Sequence, residues 1–174
     1  MNRLGRYDII EEVGRGAMGI VYRGWDPKIN RAVALKCLRP SVIELREGAR
    51  KHFKQEMYAL GRMIHPNIVT IFDAGEDPST GYIYIVMEYV SGFSLAQLLK
   101  ENSSLSMAQT LEIGAQVCRG LGFAHSKGVI HRDIKPGNIL LSKDLKTLKI
   151  TDFGIARLDT TGGSPDRNTA LYVP

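Results

Sequence analysis

The hydrophobic pattern of this chain changes period near Val90-Ser91-Gly92, and that change limits the architecture more than any single residue does. Before it, apolar residues fall in short β-branched runs, Tyr7–Val13, Ile20–Gly24 and Arg31–Leu38, broken by glycines and by Asp26-Pro27-Lys28-Ile29-Asn30. These runs predict an antiparallel meander. Over 44–63 the spacing lengthens, and Ala49, Phe53, Glu56, Met57, Leu60 and Ile64 recur as one helical face, ended by His65-Pro66-Asn67. Ile68–Ala74 and Tyr82–Tyr89 read as two more strands around a turn rich in Asp, Pro, Ser and Gly. Beyond Gly92 the texture is helical. Ser94 is placed to cap Leu95–Glu101, and Ser106 to cap a longer helix with Leu111, Ala115, Cys118, Leu121 and Ala124 on one face. The expected class is α+β: a five-stranded antiparallel sheet with one main helix, followed by a mainly helical part.

Composition narrows the function classes. An apolar fraction of 44% and a charged fraction of 24% over 174 residues suit a globular domain with a real core, not a disordered chain. The net charge of +5 is spread among 18 acidic residues, so a solvated surface is expected rather than a nucleic-acid face. Cys37 and Cys118 lie far apart without metal-ligand spacing, which argues for neither a disulfide framework nor a zinc site. No apolar run approaches the roughly 18 residues that span a bilayer, and the first residues do not read as a signal peptide. A cytoplasmic segment without membrane contact is the expectation.

Chemistry concentrates in four places. Gly14-Arg15-Gly16-Ala17-Met18-Gly19-Ile20-Val21 shares its glycines with dinucleotide sites, but those require a helix to begin there. Here a β-branched run follows, so the glycines read as a hairpin tip whose backbone N–H groups can approach phosphates. Val33-Ala34-Leu35-Lys36 puts an amine on a strand that is otherwise apolar, where its charge needs a partner; Glu56 on the helical face is the natural one. His131-Arg132-Asp133-Ile134-Lys135-Pro136-Gly137-Asn138 and Asp152-Phe153-Gly154 are far more specific. Between them Ile139-Leu140-Leu141 and Leu148-Lys149-Ile150 would form a hairpin carrying Asn138 and Asp152 at its two ends. Asn and Asp offer hard oxygen ligands, suited to Mg²⁺ on nucleotide phosphates.

In this order, across residues 14–154, these elements resemble the protein kinase family, and Asp133-Ile134-Lys135-Pro136-Gly137-Asn138 resembles its serine/threonine branch. Gly16-Ala17-Met18-Gly19 and Thr151-Asp152-Phe153-Gly154-Ile155-Ala156-Arg157 are similar to the eukaryotic-like kinases of bacteria. The resemblance implies a bilobal fold, with 1–90 as the N-lobe and 91–174 as part of the C-lobe. It implies ATP and Mg²⁺ as cofactors and protein Ser/Thr hydroxyls as acceptors. It also implies self-association for phosphorylation of one copy by another. Carried over residue by residue, Gly14, Gly16 and Gly19 would cover the phosphates and Lys36 would hold the α- and β-phosphates, oriented by Glu56. Asn138 and Asp152 would bind Mg²⁺. Asp133 would steer the substrate hydroxyl and Lys135 would sit by the γ-phosphate. Val21, Ala34 and Leu140 would enclose adenine, Met87 would be the gatekeeper, and the backbone of Glu88 and Val90 would meet the base. His131 would be structural, packed on Phe153.

The remaining histidines His65 and His125 are expected to be structural, and Cys37, Met57 and Met63 to be core residues. Arg132 is placed to pair with a phosphate on Thr160, Thr161 or Ser164, whereas Thr169 would contact Asp133 and Lys135. Asn168 stands where the family usually has glycine. The chain is expected to stop within the activation segment, and the competing reading is therefore a kinase-like module that binds nucleotide or a protein without turnover.

Overall fold

The computed structural model describes residues 2–16, 19–38, 57, 60–78, 80–101 and 104–153. The chain divides into two compact units, Met1–Arg62 with Thr70–Tyr89, and Met63–Val69 with Val90–Pro174.

The first unit is a sheet of six strands: β1 (Arg3–Leu4), β2 (Tyr7–Gly16), β3 (Gly19–Asp26), β4 (Arg31–Leu38), β5 (Ile71–Glu76) and β6 (Ile83–Glu88). They lie in the order β1-β2-β3-β4-β6-β5, with every neighbouring pair antiparallel. Two-residue β1 extends the five strands legible in the sequence. Gly5, at φ +55, turns it back onto β2 and donates its N–H to the buried Asp77 carboxylate at 3.0 Å. Alternation along β4 separates two faces. Val33, Leu35 and Cys37 pack with Leu4, Tyr7, Tyr84 and Val86 into the core, while Ala34 and Lys36 point the other way. Each large apolar side chain so buried contributes about 1.5–3 kcal/mol.

Residues 57, 60 and 61 are helical, and Met57 and Leu60 are buried, as their spacing predicts. Ala49, Phe53 and Glu56 lie outside the described residues. Ile64, expected on the same face, is instead exposed. Met63 is buried, but in the second unit.

That second unit contains β7 (Gly92–Ser94), α1 (Leu95–Lys100), α2 (Met107–Ser126), a single 3₁₀ turn (Pro136–Asn138), β8 (Ile139–Ser142) and β9 (Leu148–Ile150). Strands β7, β8 and β9 form an antiparallel sheet in that order. Ser94 and Ser106 cap α1 and α2 with reciprocal capping boxes closed by Gln97 and Gln109. The buried side of α2 is Gln116, Gly120 and Ala124. Of the face read from spacing, Ala124 is buried and Leu121 half-buried, whereas Leu111, Ala115 and Cys118 are exposed, as is His125, expected to be structural.

Ile68 and Val69, expected to open a strand of the first sheet, belong to this unit. Val69 donates to Ile150 O and Ile150 to Asn67 O, both at 2.9 Å, and Ile68 forms a parallel bridge with Ile150. Strand β5 accordingly starts at Ile71.

Candidate active site

In the first unit the glycines lie on β2 and β3, where Gly14 pairs with Val21 and Gly16 with Gly19. Side chains could not replace hydrogen at Gly19, because a Cβ there would collide with the Cys37 carbonyl oxygen of β4. Ala17 and Met18, at the tip, lie outside the described residues. Val21 stands opposite Lys36, and Lys36 opposite Ile85, so the three share one face. Ala34 and Met87, paired one step along the same face, complete a small apolar surface beside the Lys36 amine. Lys36 is itself buried. Glu56, its expected partner, lies outside the described residues. Cys37, next in sequence, faces the opposite core, where burial first and Asp77 second raise its thiol pKa and keep it an inert thiol. The Glu88 N–H is bonded to Thr70 O at 2.9 Å, and Glu88 Oε2 accepts the Thr70 N–H at 3.3 Å.

The second unit brings the polar motif residues together around Asp133. Its Oδ2 accepts from Lys135 Nζ at 2.7 Å and from Asn138 Nδ2 at 3.1 Å, and Asn138 Nδ2 also donates to the Asp133 carbonyl at 2.8 Å. With its nitrogen held there, Asn138 has Oδ1 as its acceptor atom. The 3₁₀ turn that presents Asn138 starts at Pro136, whose missing N–H suits a first helical position. Beyond it β8 and β9 pair Ile139 with Ile150 and Leu140 with Lys149, and Thr151 N–H returns to Asn138 O at 3.0 Å. Asp152 follows directly. Val90 opens the second segment of this unit, two residues before β7.

His131 holds this arrangement from beneath. Its Nε2 lies 2.8 Å from the Thr151 carbonyl, which requires an N–H, while Nδ1 accepts from the Asp133 N–H at 3.2 Å. Its ring meets that of buried Phe153 at 4.5 Å. Burial lowers the imidazole pKa against the opposing pull of the Thr151 carbonyl and of the Asp152 and Asp133 carboxylates. The neutral tautomer thus satisfies both ring nitrogens.

Two non-glycine residues here have left-handed backbones, Arg132 at φ +69 and Asp152 at φ +66. Such conformations carry a cost and survive where the surroundings over-determine them. Sequence spacing alone gave no sign of either. Nor did it mark Gln116 or Asn67, whose side chains join α2 to β9 by hydrogen bonds of 2.9–3.0 Å.

Among the described residues no three His, Cys, Asp or Glu side chains cluster as a metal cage. A pair of oxygen donors such as Asn138 and Asp152 fits a cation that keeps water and phosphate oxygens as its other ligands, as Mg²⁺ does.

Known proteins share both sequence and fold with this chain. A serine/threonine-protein kinase of Lactococcus lactis, named as probable, is 45% identical over 87% of the chain, and one of Clostridium acetobutylicum is 43% identical over the same share. The chain spans 24% and 22% of the length of these two relatives. The solved kinase domain of Mycobacterium tuberculosis PknI superposes with a TM-score of 0.78 at 30% identity, covering 97% of this chain and 69% of that one. Rad53, solved in complex with AMP-PNP, superposes at 0.75 with 32% identity over 86% of this chain and 38% of its own. A model of the protein kinase domain matches residues 7–172, and with these relatives it shows that the chain belongs to the protein kinase family, on the side of the bacterial serine/threonine kinases.

Proposed function

We propose that this chain is the ATP-handling and catalytic part of a protein serine/threonine kinase, moving the γ-phosphoryl group of ATP to a protein hydroxyl. The observation that carries the reading is the Asp133 carboxylate held by both Lys135 and Asn138, with Asp152 at the end of the adjoining hairpin. Asp133 accepts or steers the proton of the incoming hydroxyl. Lys135 adds positive charge where the transferring group passes through a loose transition state. Asn138 Oδ1 and Asp152 would hold Mg²⁺, which would supply neutralisation of the phosphate charge.

The first unit supplies the nucleotide contacts. Gly14, Gly16 and Gly19 cover the phosphates, and Lys36, oriented by Glu56, holds the α- and β-phosphates. Val21 and Ala34 make an apolar surface for adenine, with Met87 behind it; Leu140 and Val90, which lie in the second unit, are assigned to the base by the family resemblance alone. Because the Glu88 N–H is bonded to Thr70, Glu88 contributes its carbonyl. That Rad53 was solved with an ATP analogue supports a nucleotide ligand here. We assign residues 1–90 and 91–174 to the two lobes, except that residues 63–69 and Val90 go with the second, and place the segment in the cytoplasm, where ATP is supplied. Self-association would let one copy phosphorylate another.

The test is Asp133→Asn in the full chain. Phosphorylation of a protein substrate should slow by roughly 10²–10⁴ while ATP binding stays intact. Lys36→Met should weaken the transition state by on the order of 3 kcal/mol. Full turnover in either variant overturns the assignment of that residue, and nucleotide binding without any transfer in the unaltered chain supports a binding module instead.

A further inference from the structure

Strand β9 is only three residues long, yet it ends two residues before Asp152. One edge is paired with β8 and the other with residues 67–69. Beside the packing of Gly120 near Ile150, a buried glutamine ties this narrow strand to the large helix by hydrogen bonds. Gln116 Oε1 accepts from the Leu148 N–H at 3.0 Å and from Asn67 Nδ2 at 2.9 Å, while Gln116 Nε2 donates to Lys146 O at 3.2 Å and Glu112 Oε1 at 3.1 Å. All four hydrogen-bonding positions of the amide are thereby used. Asn67 Nδ2 donates a second bond to Leu148 O at 3.0 Å, and the Asn67 carbonyl accepts the Ile150 N–H. Both side chains are buried, where an unmade hydrogen bond costs most.

We propose that Gln116, acting with Asn67, is a positioning residue that holds Asp152 in its left-handed backbone for metal binding. The inference rests on the reading of Asp152 as a Mg²⁺ ligand. A residue at φ +66 stays there only if its neighbours leave it no alternative. Upstream of Asp152 those neighbours are Thr151, bonded through its N–H to Asn138 O and through its carbonyl to His131, and then β9 itself. With Gln116 removed, Leu148 N–H and Lys146 O lose their partners, and β9 is held only by its pairing with β8 and with residues 67–69, which lets its start shift. Asp152 then relaxes toward an ordinary backbone conformation and its carboxylate leaves the position that faces the cation.

A purely structural role predicts only lower stability; a positioning role also predicts a changed demand for metal. The experiment measures nucleotide binding against Mg²⁺ concentration in the full chain for wild type, Gln116→Leu, and Ser106→Ala as a destabilised control in the same helix. In Gln116→Leu half-saturating Mg²⁺ should rise about 10-fold, the low end for loss of an outer partner of a metal ligand. Binding without Mg²⁺ should be unchanged, and Ser106→Ala should keep the wild-type Mg²⁺ dependence. Should the leucine variant unfold, Gln116→Glu carries the test. It keeps an acceptor for Leu148 and Asn67, loses the donors to Lys146 O and to Glu112, whose carboxylate it then faces, and should give a rise in the same direction. An unchanged Mg²⁺ midpoint in a folded Gln116 variant overturns the inference while leaving the functional reading intact. A wild-type chain whose nucleotide binding ignores Mg²⁺ overturns both.

Discussion

Two histidines in this protein make the same local contact. His131 Nδ1 accepts the N–H of Asp133 and His65 Nδ1 that of Asn67, each two residues ahead. Both contacts need a neutral ring, and both pKa values are lowered, by burial foremost; for His65 the nearby Lys149 and Arg119 cations add to it. The sign follows from linkage: with the folded pKa below the free value of 6.5, both states are neutral above that pH and stability is full. As pH falls below it, the unfolded chain takes up a proton that the fold refuses, and stability is lost until the folded pKa is reached. Protonation at Nδ1 would also break the bond that sets Asp133. Thermal unfolding followed from about pH 7.5 to about pH 5 should therefore show a falling midpoint in the wild type. In His131→Phe the fall should be shallower, with His65 supplying the remainder, although that variant is less stable at every pH. Equal slopes in the two proteins would show that His131 is protonated equally in both states.

Helix α2 shows how one element can carry two apolar surfaces and bury the less apolar one. Leu111, Ala115, Cys118, Leu121 and Ala124 fall on a helical face in the sequence, yet only Ala124 of these is on the buried side, beside Gln116 and Gly120. Small residues let backbones come close, and the amide of Gln116 takes up the Leu148 N–H and the Lys146 carbonyl at the start of a short strand. At Gly120 a Cβ would lie 2.9 Å from Ile150 Cδ1 and 3.1 Å from the Asn67 carbonyl oxygen, whereas at Gly122 it would meet nothing within 4 Å. Gly120→Ala should thus lower stability by about 1–3 kcal/mol through overpacking, offsetting its helix-propensity gain. Gly122→Ala should raise it by roughly 0.5–1 kcal/mol. Chemical denaturation of the two variants checks both signs. The helix ends were legible because capping is local: Ser94 and Ser106 each find their Gln three residues on. The buried face was not, because which side of a helix is covered depends on partners distant in sequence.

On the scale of the whole molecule, a ligand that binds only the folded state must stabilise it. Mg²⁺ and ATP at about 100 times their dissociation constant should add about 2.7 kcal/mol. For a chain of this size that raises the melting midpoint by roughly 5–10 °C. The shift should shrink in Lys36→Met and persist in Asp133→Asn, since the proposed roles place Lys36 at the phosphates and Asp133 only in transfer; equal shifts in both would remove Lys36 from the nucleotide site. The strands β2, β3, β4 and β6, the two capped helices, and the motif residues from Gly14 to Asp152 were all readable along the chain. Each depends on alternation, on a cap, or on residues a few positions apart. Residues 63–69 were not readable, because His65-Pro66-Asn67 looks locally like a turn leading into Ile68–Ala74. Only the tertiary structure hands Ile68 and Val69 to β9, where Asn67 and Val69 exchange backbone hydrogen bonds with Ile150 across more than eighty residues of sequence. By itself the sequence determined which residues could do the chemistry. The fold decided what holds them, because backbone partners and the burial of an amide such as Gln116 belong to pairs of segments rather than to either one.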